Sequence, residues 1–179
     1  MREIQRIIYL KAMTIHAFIE YLKYRWKAMG RHGTHSPFVY DLIEHVLMDK
    51  SVLPKEFIVD IPESGLKYEN LVSRICAYYK YTAKLFVPSD NNENVQAEII
   101  VVNGVKAKDW AKLLNKYAHL MKNNSAFIVT DIHKSLAQSG EWKKLCAHER
   151  VQMSIDVFGL GLLFFKEEFK VKQHFVLKY

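Results

Sequence analysis

Glycine is missing from a long central stretch of this 179-residue sequence. The chain has seven glycines, and none lies between Gly65 and Gly104. Glycine allows a backbone to approach a ligand closely and to adopt positive φ angles. Its absence therefore argues against a glycine-rich nucleotide loop in the middle of the chain.

Cysteine and long apolar runs are also scarce. Cys76 and Cys146 are the two cysteines, both in apolar helical patterns without CxxC spacing. This indicates a reducing compartment and no disulfide framework, and we expect neither thiol to be catalytic. Charged residues interrupt the N-terminus at Arg2, Glu3, Arg6 and Lys11. The sequence thus predicts no signal peptide and no membrane span, and the simplest location is the cytoplasm.

The net charge of +7 is concentrated at the two ends of the chain. Residues 1–35 hold seven Lys/Arg and two Asp/Glu, residues 36–165 hold fifteen of each, and residues 166–179 hold four and two. A basic end is typical of proteins that bind nucleic acid or an anionic membrane. Lys23, Arg25 and Lys27 alternate with Tyr24 and Trp26, however, without a nucleic-acid motif. A solvated helix face is the simpler interpretation of these cations.

Helical spacing dominates the N-terminal part of the sequence. Apolar residues recur at Ile4, Ile7, Ile8, Met13, Ile15, Phe18, Ile19, Leu22 and Trp26. They predict one long amphipathic helix from Ile4 to about Ala28, or two helices with a bend, ending at Gly30 and Gly33. A second helix is predicted to start at Ser36 and Pro37. We expect core or helix-packing positions for the three tryptophans, Trp26, Trp110 and Trp142.

Strand patterns follow a predicted loop over residues 49–65, which includes a short extended piece at 57–61. Helices are predicted at 66–79, 107–122 and 134–147, and strands at 84–87, 97–102, 125–130, 151–157, 160–165 and 174–179. Continuous apolar runs favour a parallel sheet buried on both faces. Gly159 and Gly161 mark a hairpin turn, because no helix follows them to bind a phosphate. We predict one domain over residues 1–179, with a helical cap at 1–50 and an α/β core at 66–179.

Four segments together resemble a known family. They are Arg31-His32-Gly33-Thr34-His35-Ser36-Pro37-Phe38, Val129-Thr130-Asp131-Ile132-His133, Ile155-Asp156-Val157-Phe158-Gly159-Leu160-Gly161 and His174-Phe175-Val176-Leu177. The chain resembles class I S-adenosylmethionine-dependent methyltransferases of the small-molecule O-methyltransferase type found in the Bacteroidetes. The resemblance implies a Rossmann-like sheet with an antiparallel terminal strand and N-terminal helices over the active-site face.

The chain departs from this family where the cofactor would bind. The family has a glycine-rich turn after its first strand, whereas here the turn is Pro88-Ser89-Asp90-Asn91-Asn92-Glu93-Asn94. Ten residues separate Val87 from Glu98, too few for the two further strands and helices of the family. We therefore predict an α/β fold with a reduced Rossmann-like sheet that lacks the second and third strands, with the strands at Leu85 and Ile100 side by side and parallel. The vestigial cofactor positions are Ser89, Asp90 and Asn103.

Other polar residues are candidates for a ligand cleft at the carboxyl edge of the sheet. The cleft candidates are His32, His35, Asn103, Asp131 and His133. His35 or His133 can act as a general base for a hydroxyl, or can make only local hydrogen bonds. Related O-methyltransferases bind a divalent metal near these strand ends. Asn103, Thr130 and Asp131 offer only one carboxylate between them, so we predict no metal site.

These observations leave three classes of function open. The preferred one is a methyltransferase-like protein that has lost S-adenosylmethionine and catalysis, needs no cofactor, and acts by binding itself, another protein or a small ligand. The second is an active S-adenosylmethionine-dependent O-methyltransferase with an atypical pocket. The third is a basic surface that binds nucleic acid or an anionic membrane. Since the lost strands would leave the 84–87 strand at a sheet edge, we expect the long N-terminal helix or a second subunit to cover it.

Overall fold

The computed structural model describes residues 14–49, 51–61, 66–88 and 96–179. The helices are α1 (Ile15–Lys27), α2 (Pro37–Leu42, continued by a π-helical turn at Ile43–Leu47), α3 (Leu66–Tyr79), α4 (Trp110–Tyr117) and α5 (Leu136–Ala147). The strands are β1 (Lys84–Val87), β2 (Ala97–Val102), β3 (Met121–Thr130), β4 (Met153–Asp156), β5 (Leu160–Phe164) and β6 (Gln173–Val176). The predicted residues 4–13 of the first helix and the vestigial turn residues Ser89 and Asp90 lie outside the described part.

A six-stranded mixed sheet organises the fold, with the order β1-β2-β3-β5-β4-β6. Strands β1, β2 and β3 are parallel neighbours, and Leu85 lies opposite Ile100 as the sequence predicted. Strand β5 is antiparallel to both β3 and β4. The sequence prediction of an α/β protein is therefore confirmed at the level of fold class.

The last strand differs from the expectation. The C-terminal strands were predicted to be antiparallel, and this holds for the β4–β5 hairpin. Strand β6 instead pairs parallel to β4, with Ile155 opposite Phe175. Strand β5 ends beside the amino end of β4, with Phe164 opposite Met153. The connection over residues 165–172 crosses that end of β4, so β6 starts at Gln173 opposite Met153 and runs parallel to β4.

Helices cover both faces of the sheet, because alternate strand residues bury apolar side chains on each face. Helices α2 and α3 pack on one face through Leu42, Val46 and Ile75, among others. Helices α4 and α5 pack on the other face through Trp110 and Trp142. The continuous apolar pattern of β2 and β3 is explained by this double burial.

Helix α1 lies over the carboxyl ends of β4 and β6. Tyr24 is buried there against Phe158, and its hydroxyl donates to the carbonyl of Leu177 at 2.6 Å. Burial raises the pKa of Tyr24 to about 12, so the phenol stays a donor. Past the helix, Met29 forms a parallel bridge with Leu177 that extends the sheet beyond β6. The described part of the N-terminal helix therefore covers the β6 end of the sheet, and not the β1 edge as we expected.

The face of helix α1 that packs on the protein also differs from the expectation. The spacing of Ile15, Phe18, Ile19, Leu22 and Trp26 predicted a core face, and Trp26 was expected to pack. In the structure these five side chains are exposed, Trp26 by 92%. The buried residues are Ala17, Tyr24 and, just after the helix, Ala28. Tyr24 packs inward because a carbonyl accepts from its hydroxyl and Phe158 contacts its ring. Trp110 and Trp142 are buried as predicted.

Candidate functional site

The polar residues of the carboxyl edge lie at or just after the ends of β2, β3 and β4. Because these strands run in the same direction, their ends bring Asn103, Asp131 and Asp156 to one edge of the sheet. The hydroxyl of Thr130, the last residue of β3, donates to Asn103 Oδ1 at 2.7 Å. The backbone N–H of Asn103 donates to Val87 at the end of β1. Asn103 thus links the ends of three strands.

Asp131 occupies a backbone conformation that is unusual for a residue with a side chain. Its φ is +58°, and Phe158 across the edge has a φ of +69°. The N–H of Asp131 donates to the carbonyl of Gly159 at 2.7 Å, which joins the two segments. Such conformations persist only when their surroundings fix them. The Asp131 carboxylate is partly exposed and pairs with Lys134 Nζ at 3.0 Å.

His133 is the best-connected side chain at this edge. Its Nε2 lies 2.6 Å from Asp156 Oδ2, and its Nδ1 lies 3.1 Å from Ser139 Oγ on α5. The ring also stacks on Phe158, with centroids 5.7 Å apart. The three side chains joined by these hydrogen bonds, His133, Ser139 and Asp156, are all buried. The second oxygen of Asp156 accepts from the N–H of Phe158 at 2.7 Å.

A second histidine completes the network from the side of helix α1. His16 Nε2 lies 3.0 Å from Ser139 Oγ. With an ionised Asp156 and neutral imidazoles, only one arrangement of protons satisfies every contact. His133 Nε2–H donates to Asp156, the Ser139 hydroxyl donates to His133 Nδ1, and His16 Nε2–H donates to Ser139 Oγ. The network therefore connects helix α1 to strand β4 through helix α5.

The hydrogen bonds from Asp156 to His133 and from His133 to Ser139 are those of a Ser-His-Asp catalytic triad, in which the histidine and the carboxylate activate the serine as a nucleophile. Access excludes that chemistry here, because Ser139 is only 4% exposed and its Oγ lies between two imidazoles. A substrate carbonyl has no open side from which to meet the hydroxyl. The network is best explained as a polar tether that holds α1 on the sheet.

A small cavity lies at this edge of the sheet. It has a volume of about 180 Å³ and is lined by Gly104, Trp110, Thr130, Asp131, Lys134 and Gln138, among others. Pockets for small organic ligands usually span roughly 300–1,000 Å³. A larger cavity of about 250 Å³ lies at the opposite edge of the sheet, where Lys122, Arg150 and Glu167 line it. That cavity contains none of the predicted site residues.

The structure separates the candidate histidines by environment. His35 is exposed, and the backbone of His32 lies in the 3₁₀ turn Arg31–Gly33. His133 bonds to Asp156 and Ser139, and His35 is not a partner in those hydrogen bonds. Within the described ranges, no group of three or more His, Cys, Asp or Glu side chains is arranged to hold a metal ion. No helix in those ranges is long and apolar enough to cross a membrane.

Sequence reasoning missed Asp156, Ser139 and His16. The signal for Asp156 is in the sequence, because one carboxylate interrupts an apolar run and a buried charge requires a partner. Ser139 and His16 carry no such signal, since they are ordinary polar residues on helices. Their contact joins positions 123 residues apart, which no local pattern reports.

No protein-family model, curated protein or solved structure gives a significant match to this chain. The interpretation of the site therefore rests on its geometry and on the motifs in the sequence.

The two thiols give a first test of the packing of the core. Cys76 is fully buried on α3, and burial raises the pKa of its thiol to about 12; burial likewise raises the pKa of Cys146 to about 12. The thiolate is the reactive form, so we expect native Cys76 to react with Ellman's reagent at pH 8 about a thousandfold more slowly than the unfolded chain. Two thiols that are titrated within minutes without denaturant would contradict this packing.

Proposed function

We propose that this chain is a methyltransferase-like protein that has lost S-adenosylmethionine binding and catalysis and acts by binding. The observation that carries the proposal is the position of β1, which pairs directly with β2 and stands at the outer end of the described sheet. In the family that the motifs resemble, two further strands separate these two along the chain and supply the walls around the ribose and adenine.

The chemistry of the carboxyl edge supports the same proposal. Polar groups that would meet a substrate are bonded to one another, as in the pairs Thr130–Asn103 and Lys134–Asp131. His133, the histidine nearest the strand ends, is buried between Asp156 and Ser139. A general base needs hydrogen-bond access to the proton that it removes. These side chains stabilise the fold at the place where a methyltransferase would act.

Two surfaces are available for the binding role. Strand β1 has an outer edge of four residues, which a second subunit or another protein can pair with. The side chain of Lys84 donates to the carbonyl of Glu56, so the segment before α3 already lies beside the start of this edge. The exposed apolar face of α1 is the larger surface, because five large side chains project from it. We therefore assign the binding role chiefly to α1.

Calorimetric titration with S-adenosylmethionine and S-adenosylhomocysteine, at up to millimolar ligand, tests the proposed loss of the cofactor. We expect no binding heat and no change in the thermal midpoint. A ligand at a hundred times its Kd would stabilise the native state by about 2.7 kcal/mol, which raises the midpoint of a chain of this size by several degrees. Micromolar binding would overturn the proposal and favour the active O-methyltransferase, with His35, Asp131 and His133 as the first residues to replace.

A further inference from the structure

The exposed apolar face of α1 has a regular geometry. At 3.6 residues per turn, its side chains fall within about 100° of the helix circumference. The face consists of Ile15, Phe18, Ile19, Leu22 and Trp26, which are exposed by 83, 44, 46, 53 and 92%. The helix has 13 residues, so the face is about 20 Å long. A continuous apolar stripe of this kind marks an interaction surface.

Cations border the stripe on both sides. Arg25 lies about 20° beyond Phe18 on one flank, and Lys23 lies about 40° beyond Ile19 on the other, with Lys27 further round. All three cations are exposed. Glu20 is the one acidic residue of the helix, and its carboxylate already accepts from Lys23 Nζ at 2.7 Å. The exposed half of α1 is therefore apolar at its centre and positive at its margins.

The helix is held so that this half stays outward. His16 bonds to Ser139, and Tyr24 donates to Leu177 and accepts from the N–H of Tyr179 at 3.1 Å. Tyr24 lies on the side of the helix opposite the stripe, and His16 lies on the flank between Lys23 and Lys27. Rotating the stripe inward would break all of these contacts. The apolar face is thus displayed on a helix that is fixed by its polar and aromatic side.

We propose that α1 docks the protein onto an anionic lipid bilayer, lying in the plane of the membrane surface. A helix with an apolar face and a basic margin binds at this interface, with its apolar side chains below the headgroups. Tryptophan is favoured at that depth, and Lys and Arg extend towards lipid phosphates and carboxylates. This inference rests on the binding role proposed for α1 and names its partner, and it holds whether or not the cleft binds S-adenosylmethionine.

The charge pattern distinguishes the bilayer from the other occupants. Two copies of α1 packed through this face would bring their cationic margins together, and the one acidic residue of each helix is already paired. Nucleic acid would satisfy the cations but leave the central apolar stripe against phosphates or water. An anionic bilayer is complementary to both parts of the surface.

The experiment measures binding of the full chain to lipid vesicles. One set contains phosphatidylcholine alone, and the other contains about one third phosphatidylserine. Binding is followed by cosedimentation and by the change in tryptophan emission, which reports Trp26 because Trp110 and Trp142, at 1% and 2% exposure, keep their surroundings when the surface binds. We expect a blue shift with anionic vesicles, at least tenfold weaker binding to neutral vesicles, and weakening as salt is raised.

Matched variants distinguish the loss of the apolar surface from the loss of folded structure. Ile19→Asp with Leu22→Asp removes the centre of the stripe, and the control, Val52→Asp with Val171→Asp, places the same two charges at apolar positions exposed by 96% and 70% elsewhere. We expect at least a tenfold loss of binding for the double variant and none for the control, with both showing wild-type circular dichroism. The proposal is overturned if the double variant binds as well as the wild type, or if neither vesicle binds. It is equally overturned by a dimer that the double variant abolishes, or by tighter binding to an oligonucleotide than to anionic vesicles.

Discussion

Replacing Asp156 with alanine should lower the free energy of unfolding by about 3 kcal/mol, because it leaves two buried donors without an acceptor. One oxygen of Asp156 accepts from His133 Nε2 at 2.6 Å and the other from the N–H of Phe158 at 2.7 Å. The carboxylate is 5% exposed, so water does not replace either bond. Phe158 also has a φ of +69°, so the bond from its N–H helps to hold an unusual backbone conformation. The measurement is chemical denaturation of the purified variant.

Two controls show whether the loss arises from the buried network. Asp156→Asn retains an oxygen acceptor and should cost clearly less than alanine. Glu141→Ala removes a carboxylate that pairs with Lys144 on the surface of α5, and it should change stability by less than about 0.5 kcal/mol. If Asp156→Ala is as mild as Glu141→Ala, the His133–Asp156 pair does not hold this edge together.

The second large effect is expected at Gly161, which lies in β5 opposite Val129 of β3. A Cβ at this position would lie 2.8 Å from Cε3 of Trp142 and closer still to Cζ3 and Cη2 of the same ring. Trp142 is 2% exposed and packed from α5, so the ring has little room to move. Overpacking a core typically costs 1–3 kcal/mol. Gly161→Ala should therefore lower the free energy of unfolding by about 2–3 kcal/mol.

A double-mutant cycle identifies the cause of that loss. Trp142→Phe provides the missing space, so Gly161→Ala should cost about 1–2 kcal/mol less in that background. Gly140→Ala is the matched control, since a Cβ there meets nothing within 4 Å and the residue lies inside helix α5. It should stabilise the protein by about 0.5–1 kcal/mol. Equal effects at positions 140 and 161 would contradict the packing of Trp142 on β5.

The elements with the clearest local signals could be predicted from sequence. Strands β1 and β2 and helix α3 have the predicted bounds. Their signals are local, since each strand is an apolar run of four to six residues and the helix is a long stretch of apolar residues at helical spacing. The parallel pairing of Leu85 with Ile100 followed from the length of the connection. Gly161 was taken as a marker of the hairpin turn and lies in β5, inside the predicted strand 160–165; the sequence did not show that its missing Cβ makes room for a tryptophan.

What could not be predicted depends on distant partners. Periodicity shows which residues of α1 share a face, but not which face packs, and here hydrogen bonds from His16 and Tyr24 decide the orientation. The pairing of β6 with β4 is likewise set by the rest of the sheet. At the carboxyl edge, His133 was a candidate from its place after β3. Its partner Asp156 is 23 residues away, and their contact exists only once β4 is in the sheet.

The most direct test of a binding role for α1 is the accessibility of Trp26 to acrylamide in dilute, free protein. We expect most of the quenchable tryptophan emission to come from Trp26, so that Trp26→Phe removes it while Trp110→Phe leaves it in place. A blue-shifted wild-type emission that acrylamide hardly quenches would contradict the account. It would mean that the apolar face of α1 packs inward, and the surface assigned to binding would not exist.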